Sequence, residues 1–123
     1  MAAERLAALA RGRDAEDLVA RHLEAEGWTV LARNWRAAGG EVDLVVQRDG
    51  HLRFVEVKAR DPHDPSALEA IGRTKQRKLA RAGTEWLASR GSPDRDAAFM
   101  VAVVTLHSEG WTLEIIDDAF DVS

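Results

Sequence analysis

Two short segments hold the residues best suited to chemistry in this chain, Gly40-Glu41-Val42-Asp43 and Phe54-Val55-Glu56-Val57-Lys58, set on either side of Asp49-Gly50. Asp-Gly between two apolar runs predicts a two-residue hairpin turn that pairs Arg48 with His51. In that register Asp43 falls opposite Glu56 and Glu41 opposite Lys58, and the period-two alternation of a strand puts all four on one face. Two carboxylates opposed at ~4.5 to 5.5 Å between Cβ atoms destabilise a sheet unless something between them uses both charges. A divalent cation would do so, because Mg²⁺ takes oxygen ligands and is held by one or two carboxylates plus waters and phosphates. A neighbouring lysine can stabilise charge or orient a water, and the set then suits metal-assisted phosphodiester hydrolysis. On spacing alone, a solvent-facing hairpin in which Glu56 pairs with Lys58 or a nearby arginine accounts for these residues equally well.

The elements that must position this hairpin are legible from periodicity. Ala15, Leu18, Val19, His22 and Leu23 recur at helical spacing between Asp14, a candidate N-cap, and Gly27, a helix stop. Glu16 lies in line with Ala20 and Leu23, so it borders the apolar stripe and can point at the sheet; the helix dipole alone also favours an acid in the first turn. Trp28 to Trp35 reads as a strand closed by a loop ending in Gly39-Gly40. A long helix is expected from a Ser66 cap, with Glu69 completing a capping box, to Gly91, through Leu68, Ile71, Leu79, Ala82, Trp86 and Leu87. Ala97 to Leu106 is almost unbroken apolar, as in a strand covered on both faces, and Trp111 to Ile116 follows a Glu109-Gly110 turn. The expected fold is therefore α/β or α+β, a mixed sheet flanked by helices in the order α-β-β-β-α-β-β, with the late strand entering by a crossover.

Bulk properties narrow the function classes. With 123 residues, 46% of them hydrophobic, the chain suits one domain over residues 12–123, preceded by a flexible or helical extension over 1–11. The absence of cysteine excludes disulfides, thiolate metal sites and cysteine nucleophiles. Leu6 to Ala10 is too short for a signal core or a membrane span, so a cytoplasmic protein without a membrane partner is expected. A net charge of -4 disfavours nonspecific coating of nucleic acid, yet Arg73, Lys75, Arg77, Lys78 and Arg81 form a basic stretch without an acid. Beside an acidic pocket such a stretch suits a phosphate backbone met through a metal; by itself it is also an ordinary solvated helix face. Arg36, Arg60, Arg73, Lys75, Gln76 and Lys78 are the candidate nucleic-acid contacts, and Trp35 is a candidate base-stacking residue or a core anchor. His22, His51, His63 and His107 have no metal-ligand spacing, and no serine sits in a nucleophile-elbow context.

Taken together, Gly12, Glu16 and Ala20 on the first helix, Gly27-Trp28, Asn34-Trp35-Arg36, Gly40 to Asp43, Phe54 to Arg60, Lys75-Gln76 and Asp118-Ala119-Phe120 resemble the bacterial UPF0102 (YraN-like) family from Gly12 onward. That family in turn resembles the PD-(D/E)xK nucleases, with a restriction-endonuclease-like fold. The resemblance implies that Asp43 and Glu56 are metal ligands with the Val57 backbone carbonyl, that Glu16 is an additional acid, and that Lys58 is the catalytic lysine. It further implies a Mg²⁺- or Mn²⁺-dependent endonuclease, a hydrolase acting on DNA ahead of RNA, with branched or structured DNA among its candidate substrates and a homodimer among its candidate assemblies. The competing implication is a nucleic-acid-binding adaptor that keeps the nuclease-like fold but has little intrinsic activity. Val42 stands where the superfamily name places a proline, and Ala98-Phe99-Met100 replaces an Arg-Phe-Asp typical of the family.

Overall fold

Gly27 ends the first helix in a Schellman motif. Its N–H donates to Glu24 O at 3.0 Å and the Trp28 N–H to Leu23 O at 2.9 Å, while Gly27 takes φ 95, a conformation that glycine adopts without steric penalty. Trp28 and Leu23 are buried together, which fixes the angle at which the chain leaves the helix for the sheet. In the computed structural model the described residues are 13–37, 39–63, 72–90 and 96–119. Their elements are α1 (Arg13–Ala25), β1 (Thr29–Ala37), β2 (Gly40–Arg48), β3 (His51–Arg60), α2 (Arg73–Ser89), β4 (Ala97–His107) and β5 (Gly110–Ile116).

The architecture is the expected one, an α/β fold with a five-stranded mixed sheet in the order β1-β2-β3-β4-β5, consistent with a restriction-endonuclease-like fold. Strands β1 to β3 and the β4–β5 pair are antiparallel, and β3 and β4 are parallel, joined by the crossover that contains α2. Asp49 and Gly50 both have positive φ (50 and 81), the pattern of a type I′ turn, and Arg48 pairs with His51 as predicted.

The two faces of the sheet bury separate clusters. Val19, Ala20 and Leu23 of α1 pack with Leu44, Val46, Val55, Met100, Ala102 and Val104. Leu79, Ala82 and Trp86 of α2 pack with Val42, Val45, Leu52, Phe54 and Phe99. Val42, directly before Asp43, is fully buried against α2. Two glycines bring α2 close to the sheet. A Cβ on Gly83 would stand 2.9 Å from the Phe54 ring, and one on Gly40 would stand 2.6 Å from the Lys78 carbonyl oxygen.

Three expectations are corrected. The later helix starts at Arg73, because its N-cap Gly72 is extended (φ -70, ψ 173), so no continuous helix runs from Ser66; Ser66, Leu68 and Ile71, like the 1–11 extension, lie outside the described residues. Asp14 lies inside α1 instead of flanking it. The last hairpin turns at Ser108-Glu109, with His107 paired to Gly110. Among the described residues no helix is long and apolar enough to cross a membrane.

Candidate functional site

The regular β2–β3 ladder runs from Arg48↔His51 to Leu44↔Val55. The expected rungs Asp43↔Glu56 and Glu41↔Lys58 are missing from it, because the two strands separate there. Alternation along an antiparallel pair would send the Val57 N–H to the carbonyl of Val42; it donates instead to Asp43 Oδ2 at 2.8 Å. Beyond this point β2 stays paired with β1 as far as Ala37↔Gly40, and β3 stays paired with β4 as far as Arg60↔Thr105. Asp43 and Glu56 therefore lie at the fork of the sheet, adjacent without being cross-strand partners.

The β1–β2 ladder is interrupted at the same level. It passes from Trp35↔Val42 to Arg33↔Leu44, omitting Asn34 and Asp43, and Asn34 has a left-handed backbone (φ 49). Asparagine tolerates that region better than most residues. The kink is accompanied by a break in alternation: Val42 packs toward α2, whereas Leu44, two residues on, packs toward α1. Asp43 sits between them and meets side chains from both helical layers.

From α1 comes Glu16, buried at 9% exposure on the Val19/Ala20/Leu23 stripe. It accepts a 3.0 Å hydrogen bond from Asn34 Nδ2 and lies within hydrogen-bonding reach of Asp43. From β3 comes Glu56, 5% exposed, which Asp43 also reaches. From α2 comes Lys75, whose Nζ forms an ion pair with Glu56 Oε1. Glu41, Asp43, Glu56, Lys75, Lys78 and Leu79 line a cavity of about 150 Å³.

The charge balance in this space is acidic. Burial first, then the neighbouring charge of Glu56, pushes Asp43 up from 3.8 to about 7, against the opposing effect of the Val57 N–H. Glu16 is also raised, by burial first and then by Asp43 and Glu41, while the Asn34 amide pulls it down. Burial pulls the Lys75 ammonium down, but its hydrogen bond with Glu56 and the charges of Glu56, Asp43 and Glu41 outweigh this and hold it above its usual value.

The structure thus brings Glu16, Asp43 and Glu56 together with Lys75 and Lys78. Lys58 is half-buried on β3 level with Val103, and it does not line the cavity. Among the described residues the cation paired with Glu56 is Lys75, neither Lys58 nor an arginine. Arg36 is highly exposed on the edge strand, 3.9 Å from Glu41, and Arg60 Nε donates to Thr105 Oγ1 at 2.9 Å. Arg73 is exposed in the first turn of α2, and Gln76 follows Lys75 on the same helix. Trp35 packs edge-on against Trp86, ring centroids 5.5 Å apart, so its indole serves as an anchor for α2. Sequence reasoning assigned no role to Asn34. Its available signal was an asparagine, tolerant of left-handed backbone, inside an otherwise strand-like run.

A family model for the uncharacterised protein family UPF0102 matches residues 15–118, which include Glu16, Asn34, Asp43, Glu56, Lys58 and Lys75. The chain belongs to the UPF0102 family. A UPF0102 protein of Nitratidesulfovibrio vulgaris (strain DP4) is 38% identical over 115 residues, covering 93% of this chain and 86% of the relative. A UPF0102 protein of Gloeobacter violaceus is 50% identical over 93 residues, covering 73% and 74%. One of Methylorubrum populi is 38% identical over 120 residues, covering 98% and 94%.

Among the described residues no group of three or more histidine, cysteine or acidic side chains forms a ready-made metal cage. The donor chemistry still fits a hard cation. The carboxylates at the fork offer oxygen ligands, two suffice for Mg²⁺ when waters and phosphates complete the shell, and the part of the rise at Asp43 that comes, after burial, from Glu56 is a repulsion that a dication relieves.

Proposed function

We propose that this UPF0102 protein is a Mg²⁺- or Mn²⁺-dependent nuclease that hydrolyses phosphodiester bonds in DNA, branched or structured DNA included. The observation that carries the reading is the convergence of Glu16 from α1, Asp43 from β2 and Glu56 from β3 at a fork in the sheet, with the basic first turns of α2 beside them. Asp43, Glu56 and the Val57 carbonyl would hold the cation, and Glu16 would complete the acidic set. A cation bound there lowers the pKa of a coordinated water and neutralises charge developing on phosphate oxygens.

The chain's own residues do the rest. The Val57 N–H holds the Asp43 carboxylate in place, as Asn34 holds that of Glu16. Lys58, assigned through the family resemblance, would position or activate the attacking water. Lys75 and Lys78 supply positive charge for the phosphate, and Arg36, Arg60, Arg73 and Gln76 are the candidates for more distant backbone contacts.

The test is cleavage of single-stranded, duplex, flap and four-way-junction DNA and the matching RNAs, with Mg²⁺, Mn²⁺ or chelator, by the intact chain and by Glu56→Gln. Metal-dependent cleavage by the wild type and none by the variant is the expected result; equal cleavage by both would sink the assignment. The Lys75–Glu56 pair favours a second reading, an adaptor that binds phosphate through α2 without turnover. Binding of those substrates with no cleavage under any metal would select it.

A further inference from the structure

Glu56 is the least exposed of the clustered carboxyls, and a carboxylate at that depth requires a partner. Its partner arrives from another layer of the fold. Lys75 projects from the first turns of α2, its side chain 46% exposed against 6% for that of Glu56. The location is unfavourable for a cation on local grounds, since helix N-termini repel positive charge and the first turn of α2 contains no acid. The acidic cavity supplies the compensation.

Asp43 shows the other half of the pattern. Its direct partners are the Val57 N–H and two carboxyls, so the pocket has one carboxylate matched by an ammonium and others crowded together. An ion entering between Asp43 and Glu56 meets the Lys75 charge at the Glu56 oxygen it must ligate. An ammonium on a flexible four-carbon stem, half in solvent, can withdraw without moving the helix. Lys78, three residues on and lining the same cavity, lies next to it on α2.

We propose that Lys75 is a resident counter-ion of Glu56 which a divalent cation displaces, and that the released ammonium then joins Lys78 in binding a nucleic-acid phosphate. The inference rests on the metal-site reading of the fork and adds an order of events to it. Competition with Lys75 makes the cation bind weakly to the free protein. A phosphate that holds the released ammonium removes the competitor, so cation and nucleic acid strengthen each other's binding by the same factor. Lys75 acts on the cation through Glu56 and is in that respect a positioning residue.

The experiment is titration of the intact chain with Mn²⁺, followed by calorimetry and by the electron paramagnetic resonance of free Mn²⁺, for wild type, Lys75→Met, Lys75→Gln and Lys78→Met. The lysine variants keep a side chain compatible with the helix, and circular dichroism confirms folding; two replacements of Lys75 guard against a poorly folded one. The expected result is Mn²⁺ binding about tenfold tighter in both Lys75 variants, the scale of a partly buried charge pair, with a clearly smaller change in Lys78→Met. A phosphorothioate-protected DNA duplex should tighten Mn²⁺ binding in the wild type and lose most of that effect in Lys75→Met. Wild-type binding with unchanged or weaker binding in the Lys75 variants overturns this inference alone. An equal gain in Lys78→Met also overturns it, because bulk charge would then explain the change. No Mn²⁺ binding by the wild type overturns the metal-site reading and this inference together.

Discussion

Asn34 Nδ2 donates to Glu16 Oε2 at 3.0 Å, from a residue whose own backbone is left-handed (φ 49) and whose rung opposite Asp43 is missing. One asparagine thus marks the interruption of the β1–β2 ladder that accompanies the fork and also orients the acid that α1 contributes. The two roles can be separated, because glycine keeps the left-handed backbone and loses only the amide.

Asn34→Gly should therefore destabilise the fold by about 1 kcal/mol, mainly the value of one hydrogen bond, with a small further loss from the freer unfolded chain. Asn34→Ala loses the same bond and also forces a Cβ-bearing residue without a local polar partner into the left-handed region, adding roughly 1 kcal/mol. Urea denaturation of both variants measures the difference. Equal stability of the two would mean that the backbone at this position relaxes.

Asp43 gives the stability a distinctive pH dependence. Its proton affinity is higher in the folded protein (pKa about 7) than at its ordinary 3.8, chiefly through burial and next through Glu56. Between those values the folded state holds more protons than the unfolded state, so this group's contribution makes stability fall as pH rises through the window. Wild type should gain on the order of 1 kcal/mol or more from Asp43 on going from about pH 8 to pH 5.5. Asp43→Asn keeps an acceptor for the Val57 N–H and should flatten that slope; subtracting the two profiles removes the contribution of other groups. Parallel profiles would contradict the assignment.

The distance between α2 and the sheet is set in part by Gly40, where a Cβ would stand 2.6 Å from the Lys78 carbonyl oxygen. Backbone cannot swing aside as a flexible side chain can, so Gly40→Ala must displace the helix. Overpacking of this kind costs about 1 to 3 kcal/mol. Since Lys75 and Lys78 move with the helix, the same variant should also change Mn²⁺ affinity. Thermal unfolding combined with a Mn²⁺ titration tests both effects, and an unchanged melting temperature would refute the close approach.

On the nuclease reading proposed above, Lys58 and Lys75 should separate kinetically. Lys58→Ala is expected to lower kcat by about 10²- to 10⁴-fold, the usual range for a positioned proton-transfer group, with Mn²⁺ affinity little changed. Lys75→Met should shift metal and DNA affinity instead. A Lys58→Ala enzyme with full kcat would transfer the catalytic role elsewhere, and Lys75, on the Glu56 oxygen, would be the first candidate.

Much of the fold was legible because its signals are local. Asp49-Gly50 specified the hairpin, Gly27 the end of α1, and the unbroken apolar run of β4 its burial and its place after a crossover. Extending α2 back to Ser66 failed because Gly72 takes an extended backbone, an outcome that side-chain periodicity does not register. The register near the turn also held, but only as far as Leu44↔Val55.

What the sequence determined by itself was the inventory: three acids and a lysine on a hairpin, an acid on the apolar stripe of a helix, a basic stretch on another, and membership of one family. Tertiary structure decided which of these meet. Departure of the strands beyond Leu44 and Val55 places Asp43 and Glu56 at a fork, a left-handed Asn34 accompanies the local break in β1, and close packing of α2 delivers Lys75 rather than Lys58 to Glu56. The reason is physical. Alternation and turn chemistry act over a few neighbouring residues, whereas the partner of a buried carboxylate is set by how closely a distant helix can approach, and glycines at positions 40 and 83 permit that approach.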